Sequence, residues 1–115
     1  MLVPAGEYAV TTMQSAAVAT GNGTVVTPTA MTNGAYTLLT MQVKGITTVT
    51  ITFEATIDGS NWVAITAKKL ATGTEATTAT ADGIYRVVVA GLVSFRARIS
   101  AWTTGATTVT GVMTA

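Results

Sequence analysis

The stretch ITTVTITFEATI (residues 46–57), followed by the turn Asp58-Gly59-Ser60-Asn61, decides the fold class. Apolar and polar side chains alternate over these dozen residues, with Val49, Ile51 and Phe53 on one side and threonines on the other. Alternation of period two is typical of a β-strand with one buried face and one solvated face. The turn is built from residues that tolerate tight backbone conformations, and it predicts a hairpin into a strand over residues 62–67.

The rest of the chain has the same character. Threonine makes up about a fifth of the residues and, together with Val and Ile, gives a strongly β-branched sequence. No segment repeats apolar residues at helical spacing, so the sequence predicts an all-β protein. The predicted strands cover residues 7–13, 24–27, 36–43, 46–57, 62–67, 84–90, 92–102 and 107–113. Residues 15–20 are a weak further segment, and residues 71–80 are a loop or irregular edge strand.

Turn signals separate these strands at Gly21-Asn22-Gly23, at residues 32–34, at Lys44-Gly45, at Asp82-Gly83 and at residues 103–105. About eight short strands at this spacing are typical of antiparallel sandwiches and barrels. We therefore expect residues 1–115 to form a single domain, a two-sheet antiparallel β-sandwich of jelly-roll type, with an immunoglobulin-like sandwich as the alternative.

The composition argues against most kinds of chemistry. The chain has no Cys and no His, so the commonest metal ligands and general bases are missing. Charged residues are 10% of the chain, against about 25% in an ordinary soluble domain, and the net charge is +1. We therefore expect no cofactor, no nucleic acid partner and no membrane span. A surface with so few charges is better explained if it contacts other protein subunits.

The candidate sites are few. Asp58, Ser60 and Asn61 offer oxygen atoms to a cation, but the same residues are expected in any such turn, so we expect no metal site. Asp58 and Asp82 precede glycines, where an aspartate caps its own turn. No paired carboxylates and no activated serine are recognisable, so we expect no enzyme.

One strand face carries the polar groups that are best suited to binding. The predicted strand 92–102 carries Arg96, Arg98, Ser100 and Trp102 at every second position, which places all four on one face. Arg and Trp are enriched at protein interfaces, so Arg96, Arg98 and Trp102 are candidate contacts with another subunit. The alternatives are a solvated face whose arginines pair with Glu54 or Glu75, or a site for a sugar or carboxylate.

Three segments together resemble the small virion proteins of tailed bacteriophages. These segments are FE with IDGSNWVAI (residues 53–54 and 57–65), then GIYRV, AGL and FRARI (residues 83–87, 90–92 and 95–99), and TGATTV (residues 104–109). The resemblance extends over about residues 36–112 and departs at Thr56, where the pattern usually has Ser. Such proteins are similar to the β-sandwich cement proteins that decorate phage heads and to accessory modules of tails.

The resemblance implies a non-enzymatic structural protein of the virion, with the major capsid protein and copies of itself, as a dimer or trimer, for partners. Its location would be the virion, assembled in the host cytoplasm. The alternative is a tail or baseplate accessory module that binds host-surface glycan, which would need several aromatic side chains on one concave face. Aromatic residues are only 6% of the chain.

Overall fold

The computed structural model describes residues 8–29 and 35–115, and within them the regular structure is entirely β. The strands are β1 (Tyr8–Ala17), β2 (Leu38–Thr56), β3 (Val63–Ala64), β4 (Ala67–Lys69), β5 (Glu75–Ala76), β6 (Thr78–Ala79), β7 (Gly83–Val88) and β8 (Ser94–Thr114). Every pair of strands is antiparallel. The prediction of an antiparallel all-β protein is thus confirmed.

The hydrogen-bonded ladders join the strands into one eight-stranded sheet in the order β1-β8-β2-β7-β4-β5, with β3 and β6 paired to β2. The two long strands, β2 and β8, pair along almost their entire length. The first part of β2 lies between β8 and β7, whereas its last part pairs with β8, β3 and β6. The sandwich and its jelly-roll topology are not confirmed by this pairing and stay a prediction.

Two glycines interrupt the long pair where the sequence predicted turns. Gly45 and Gly105 both have positive φ, 83° and 124°, and the register of β2 against β8 shifts around them. A Cβ built on Gly45 would collide with the carbonyl oxygen of Ala106, and one on Gly105 would lie 2.8 Å from the carbonyl oxygen of Gly45. The predicted turns at Lys44-Gly45 and at residues 103–105 are therefore wrong: they are bulges inside continuous strands, which glycine permits because it accepts positive φ.

The core lies on the face of the sheet where the alternation predicted it. Leu39, Met41 and Val43 of β2 are buried together with Ile51 and Phe53 beyond the bulge. The Phe53 ring stacks on Phe95 at 6.4 Å and meets Tyr85 of β7 at 5.7 Å between centroids. Phe53 lies near the end of β2, whereas Tyr85 pairs with Met41 near the start of that strand. Their contact therefore shows that the sheet bends between these two positions and encloses one apolar core.

Several shorter predictions differ from the structure. Residues 18–29 are not strands: they run beside β8, joined to it by bridges from Gly21 to Ile99 and from Val26 to Phe95. The predicted return strand 62–67 is split, because β3 pairs with β2 whereas β4 pairs with β5 and β7. Residues 71–80 contain the short strands β5 and β6, as expected of an irregular edge. The predicted turn at residues 32–34 and the strand start at residue 7 lie outside the described residues.

Candidate functional site

The turn after β2 is held by the carboxylate of Asp58. Its Oδ1 accepts hydrogen bonds from the N–H groups of Ser60 and Asn61, both at 2.8 Å, and from the Thr56 hydroxyl at 2.9 Å. Its Oδ2 accepts one from the Asn61 side-chain amide at 2.6 Å. These bonds, led by those from Asn61, hold the pKa of Asp58 well below its ordinary value. The carboxylate thus caps its own turn, as predicted from the sequence.

Thr56 contributes a second set of bonds to the same turn. Its hydroxyl oxygen accepts hydrogen bonds from the N–H groups of Asp58 and Gly59 at 3.3 and 3.0 Å. The hydroxyl that the phage pattern places here as a serine is therefore present in this chain as a threonine. Among the described residues, no group of three or more acidic residues is placed to hold a metal ion.

A cluster of charged side chains lies on the outward face of β2 and β8, next to this turn. Glu54 pairs with Arg96 across the ladder, and its Oε1 accepts hydrogen bonds from Nε of Arg96 at 2.8 Å and from Nε of Arg98 at 3.0 Å. A third, longer bond joins Nη2 of Arg98 to Oε2 at 3.3 Å. The structure thus shows both arginines paired with Glu54, which was one of the three alternatives considered for them from the sequence.

Trp62 covers one side of this cluster. The guanidinium carbon of Arg96 lies 4.1 Å from the centroid of the Trp62 ring, which is a close cation–π contact. Trp62 is half-buried at the end of the turn rather than part of the core. We use the name Glu54 cluster for Glu54, Trp62, Arg96 and Arg98. It is the most extensive network of charged side chains in the described part of the chain.

The electrostatics of the Glu54 cluster favour binding over proton transfer. Burial raises the pKa of Glu54, but the hydrogen bonds and charges of Arg98 and Arg96 outweigh burial and leave the pKa below its ordinary value. Glu54 is therefore ionised near neutral pH, which does not suit a general acid. With one carboxylate and two guanidinium groups, the cluster carries an excess positive charge on a surface where Arg98 keeps 35% of its side chain exposed.

Trp102 does not share the face of the two arginines, contrary to the prediction. The register of β2 against β8 shifts between Thr50 and Ile51, where Ile51 pairs with Ile99 but Thr50 pairs with Ala101. Ser100 is the extra residue of this bulge, and one extra residue reverses the alternation beyond it. Trp102 consequently packs against the core, and its indole N–H donates to the Gly105 carbonyl oxygen at 3.0 Å.

The role of Asp82 also differs from the predicted one, which was to cap its own turn. It does not cap its own turn: its two carboxylate oxygens accept hydrogen bonds from the N–H groups of Gly45 at 3.2 Å and Ile46 at 2.9 Å. The ladder between β2 and β7 ends at Val43 and Gly83, so β7 offers no partner to Gly45 and Ile46. Asp82, which comes just before β7, accepts their hydrogen bonds instead. Local sequence patterns could not indicate this contact, because Asp82 lies 36 residues from Ile46 along the chain.

A second surface was missed by sequence reasoning. On the β1-β8-β2-β7 part of the sheet, register places six apolar side chains on the side that faces away from the core; we call this side the outer sheet face. They are Tyr8, Val10, Leu38, Ile84, Val88 and Val112, with threonines between them. Tyr8, Val10 and Val88 are each more than half exposed.

A groove continues this surface along β7 and β4. It has a volume of about 630 Å³. Its lining is mixed: the apolar side chains are Leu38, Ile65, Leu70, Val88 and Leu92, and the charged ones are Lys68, Glu75 and Arg86. A smaller, almost entirely apolar recess of about 300 Å³ adjoins it beside Ile57 and Val63. Most of the large apolar side chains exposed on the described surface thus lie on the outer sheet face or border one of these two recesses.

Comparison with known proteins identifies the fold. No known protein family and no curated protein matches the sequence. Among solved structures, the SPBc2 prophage-derived protein YomS is similar, with a TM-score of 0.83 and 19% identity over 98% of this chain and 97% of that protein. The PBSX exported protein XepA gives a TM-score of 0.86 at 16% identity over 98% of this chain, which spans 39% of XepA. At these identities the likeness establishes a shared fold.

Proposed function

We propose that this chain is a phage-derived structural protein without catalytic activity that decorates the phage head as a cement protein. Two independent lines support a phage origin: the motifs that resemble small virion proteins, and the occurrence of the same fold in two prophage proteins. The observation that carries the structural role is the surface. It combines a low content of charged residues with the exposed apolar side chains of the outer sheet face, as expected of a protein that buries surface against other subunits.

The proposed mechanism is thermodynamic linkage. A protein that binds the assembled shell, and binds its separated subunits weakly or not at all, stabilises the shell by mass action. At a free concentration one hundred times the dissociation constant, each occupied site contributes about 2.7 kcal/mol against disassembly. Many such sites on one particle make their effect large although each contact is modest. The proposed partners are therefore the major capsid protein and other copies of this chain, and the proposed location is the virion.

The Glu54 cluster is the proposed polar anchor toward the capsid protein. Arg98 is fixed by its bonds to Glu54 but remains partly exposed, and Trp62 holds Arg96 in place by stacking. Side chains that are already ordered lose little entropy on binding, which is an advantage for a contact residue.

Among the described residues, no helix is long and apolar enough to span a membrane.

Trp102 keeps its place among the proposed contacts, with Arg96 and Arg98, but on different grounds. It lies at the bend of β8, half-buried, with its ring against the core and its indole N–H bonded to the backbone. Trp is enriched at protein interfaces, where a rigid ring offers a large contact area. Because the bulge separates it from the arginines, Trp102 would serve a second contact region and not the one centred on Arg98.

The glycan-binding alternative requires aromatic side chains gathered on one face. The chain has two Phe, two Trp and three Tyr, and Tyr36, Phe53, Tyr85 and Phe95 are buried. The remaining three, Tyr8, Trp62 and Trp102, lie on β1, at the turn after β2 and at the bend of β8. This distribution favours the decoration role over the glycan role.

Copy number distinguishes the two positions in the virion. Virions of the phage that encodes the chain are purified, and the protein is quantified by mass spectrometry with isotope-labelled peptides against the major coat protein. A decoration protein is expected at hundreds of copies, in a fixed ratio to the coat protein. A few copies, or dozens, would place the protein in the tail, and its absence from virions would overturn the proposal. Binding of the isolated protein to host-surface glycans would favour the alternative.

A further inference from the structure

We propose that the outer sheet face is the contact through which copies of this chain associate with one another. The face is defined by register. Tyr8 pairs with Thr114, Thr114 with Leu38, and Leu38 with Val88, so these four side chains form one row across four strands. The next row runs from Val10 through Val112 and Thr40 to Arg86. Paired residues of antiparallel strands point to the same side, so the rows form one continuous surface.

The exposure of this face is unusual for a surface that stays in water. Val10 is 58% exposed and Val88 66%, although both lie on strands, where a threonine would be equally compatible with β-structure. The two rows and the next one, which runs from Thr12 to Ile84, include a single ionised side chain, that of Arg86. Depletion of charge around apolar residues is the composition of an interface core.

The distribution of charge indicates another copy as the partner. Lys68 and Glu75, which continue the second row on β4 and β5, lie at its outer end. Two copies can stack face to face around a twofold axis that lies between them, parallel to the strands and midway between β8 and β2. This arrangement lays β1 of one copy over β7 of the other. Tyr8 then faces Val88 and Val10 faces Arg86, whereas Lys68 and Glu75 stay at the rim. The face can therefore pair with itself without opposing like charges or burying a carboxylate.

The size of the face is sufficient for a weak association between copies. At the usual strand spacing and rise, four strands cover about 20 Å by 20 Å, or roughly 400 Å² in projection. The accessible area of a corrugated surface is larger than its projection. A stable contact buries about 800 Å² on each partner. The outer sheet face is smaller than that, so we expect a weak, reversible association that depends on concentration.

The inference rests on the proposed function only in its statement that copies of the chain contact each other, and it is tested in solution without virions. The mass of the purified protein is measured by sedimentation velocity and light scattering over a range of concentrations. We expect a multiple of the 11.7 kDa chain mass at high concentration. Val10→Lys, which would oppose Arg86 of the other copy with a like charge, and Val88→Glu, on a different strand, are each expected to return the protein to the single-chain mass.

Val18→Glu is the matched control, because Val18 is 60% exposed but lies beyond the end of β1, outside the outer sheet face. Circular dichroism and melting temperature check that each variant is folded. In the wild-type protein, hydroxyl-radical labelling of Tyr8 should fall as concentration rises. A wild-type protein that stays a single chain at every concentration overturns the inference, and so does an oligomer that survives both face variants or is lost equally in Val18→Glu. None of these results affects the virion measurement, which tests the proposed function separately.

Discussion

Replacing Glu54 with Gln tests whether the Glu54 cluster stabilises the fold as its geometry indicates. The substitution keeps the size of the side chain and one oxygen acceptor, but removes the charge that offsets Arg96 and Arg98. Glu54 is only 9% exposed, and its short bonds come from Nε of Arg96 at 2.8 Å and Nε of Arg98 at 3.0 Å. The variant therefore leaves two guanidinium groups side by side with a neutral partner.

The expected cost follows from the exposure of each arginine. A hydrogen bond to a charged group contributes about 1.5–3 kcal/mol when it is shielded from water. The Arg96 side chain is 15% exposed, so its bond belongs in that range, whereas Arg98 at 35% is closer to a surface pair worth about 1 kcal/mol or less. Because Gln keeps one acceptor, we expect Glu54→Gln to lower the free energy of unfolding by about 2 kcal/mol in total.

Thermal and urea unfolding at neutral pH measure this effect. With an unfolding entropy of about 2.1 cal/mol/K per residue, 2 kcal/mol corresponds to a melting temperature lower by roughly 8 °C for a chain of this length. The matched control is Glu75→Gln at the exposed edge strand β5, which should change stability by less than about 0.5 kcal/mol. If Glu54→Gln is no more destabilising than Glu75→Gln, the reasoning about the cluster is refuted. Adding Arg98→Gln to Glu54→Gln should cost less than Arg98→Gln does alone.

Three further predictions follow from the bend and from the carboxylates. Gly45→Ala should lower the free energy of unfolding, measured by urea titration, by about 2 kcal/mol or more, because a Cβ at positive φ would collide with a β8 carbonyl oxygen. Gly59→Ala is the control: Gly59 has a similar φ but lies in open space, so this variant should cost only about 1 kcal/mol in the same titration. Asp82→Ala should cost about 1 kcal/mol and speed hydrogen exchange of the Gly45 and Ile46 amides; unchanged exchange would contradict its capping role. Because the folded-state pKa of Glu54 is lowered, its contribution is complete above the ordinary value of 4.5 and is lost as pH falls through the folded pKa. The stability difference between wild type and Glu54→Gln should therefore shrink at acid pH, and a constant difference would contradict the ion pairing.

Local patterns predicted the elements whose cause is local. The alternation over residues 46–57 identified Ile51 and Phe53 as core residues, and Asp58 caps its own turn as its neighbours suggested. Each of these features depends on residues close together in sequence. A strand face needs only period two, and a turn of this kind needs only an acceptor and two or three N–H groups.

Features that depend on pairing with a distant strand could not be predicted in the same way. Gly45 and Gly105 are compatible with a turn and with a bulge, and only their position between two paired strands distinguishes these cases. The extra residue Ser100 reverses the side chains beyond it and moves Trp102 to the core side, which alternation alone cannot show. The outer sheet face likewise requires the register of β1 against β8, since Val10 and Val112 lie at opposite ends of the chain.

Heat resistance of phage heads measures the central claim, that this protein stabilises a protein shell by contact. Heads of the encoding phage that lack the protein are incubated with the purified chain, separated from the unbound protein, and heated while DNA release is followed. The account predicts that the chain binds in a saturable, fixed ratio to the coat protein and raises the temperature of DNA release. Heads that bind none of the protein, or that bind it to saturation and release DNA at an unchanged temperature, would contradict the account.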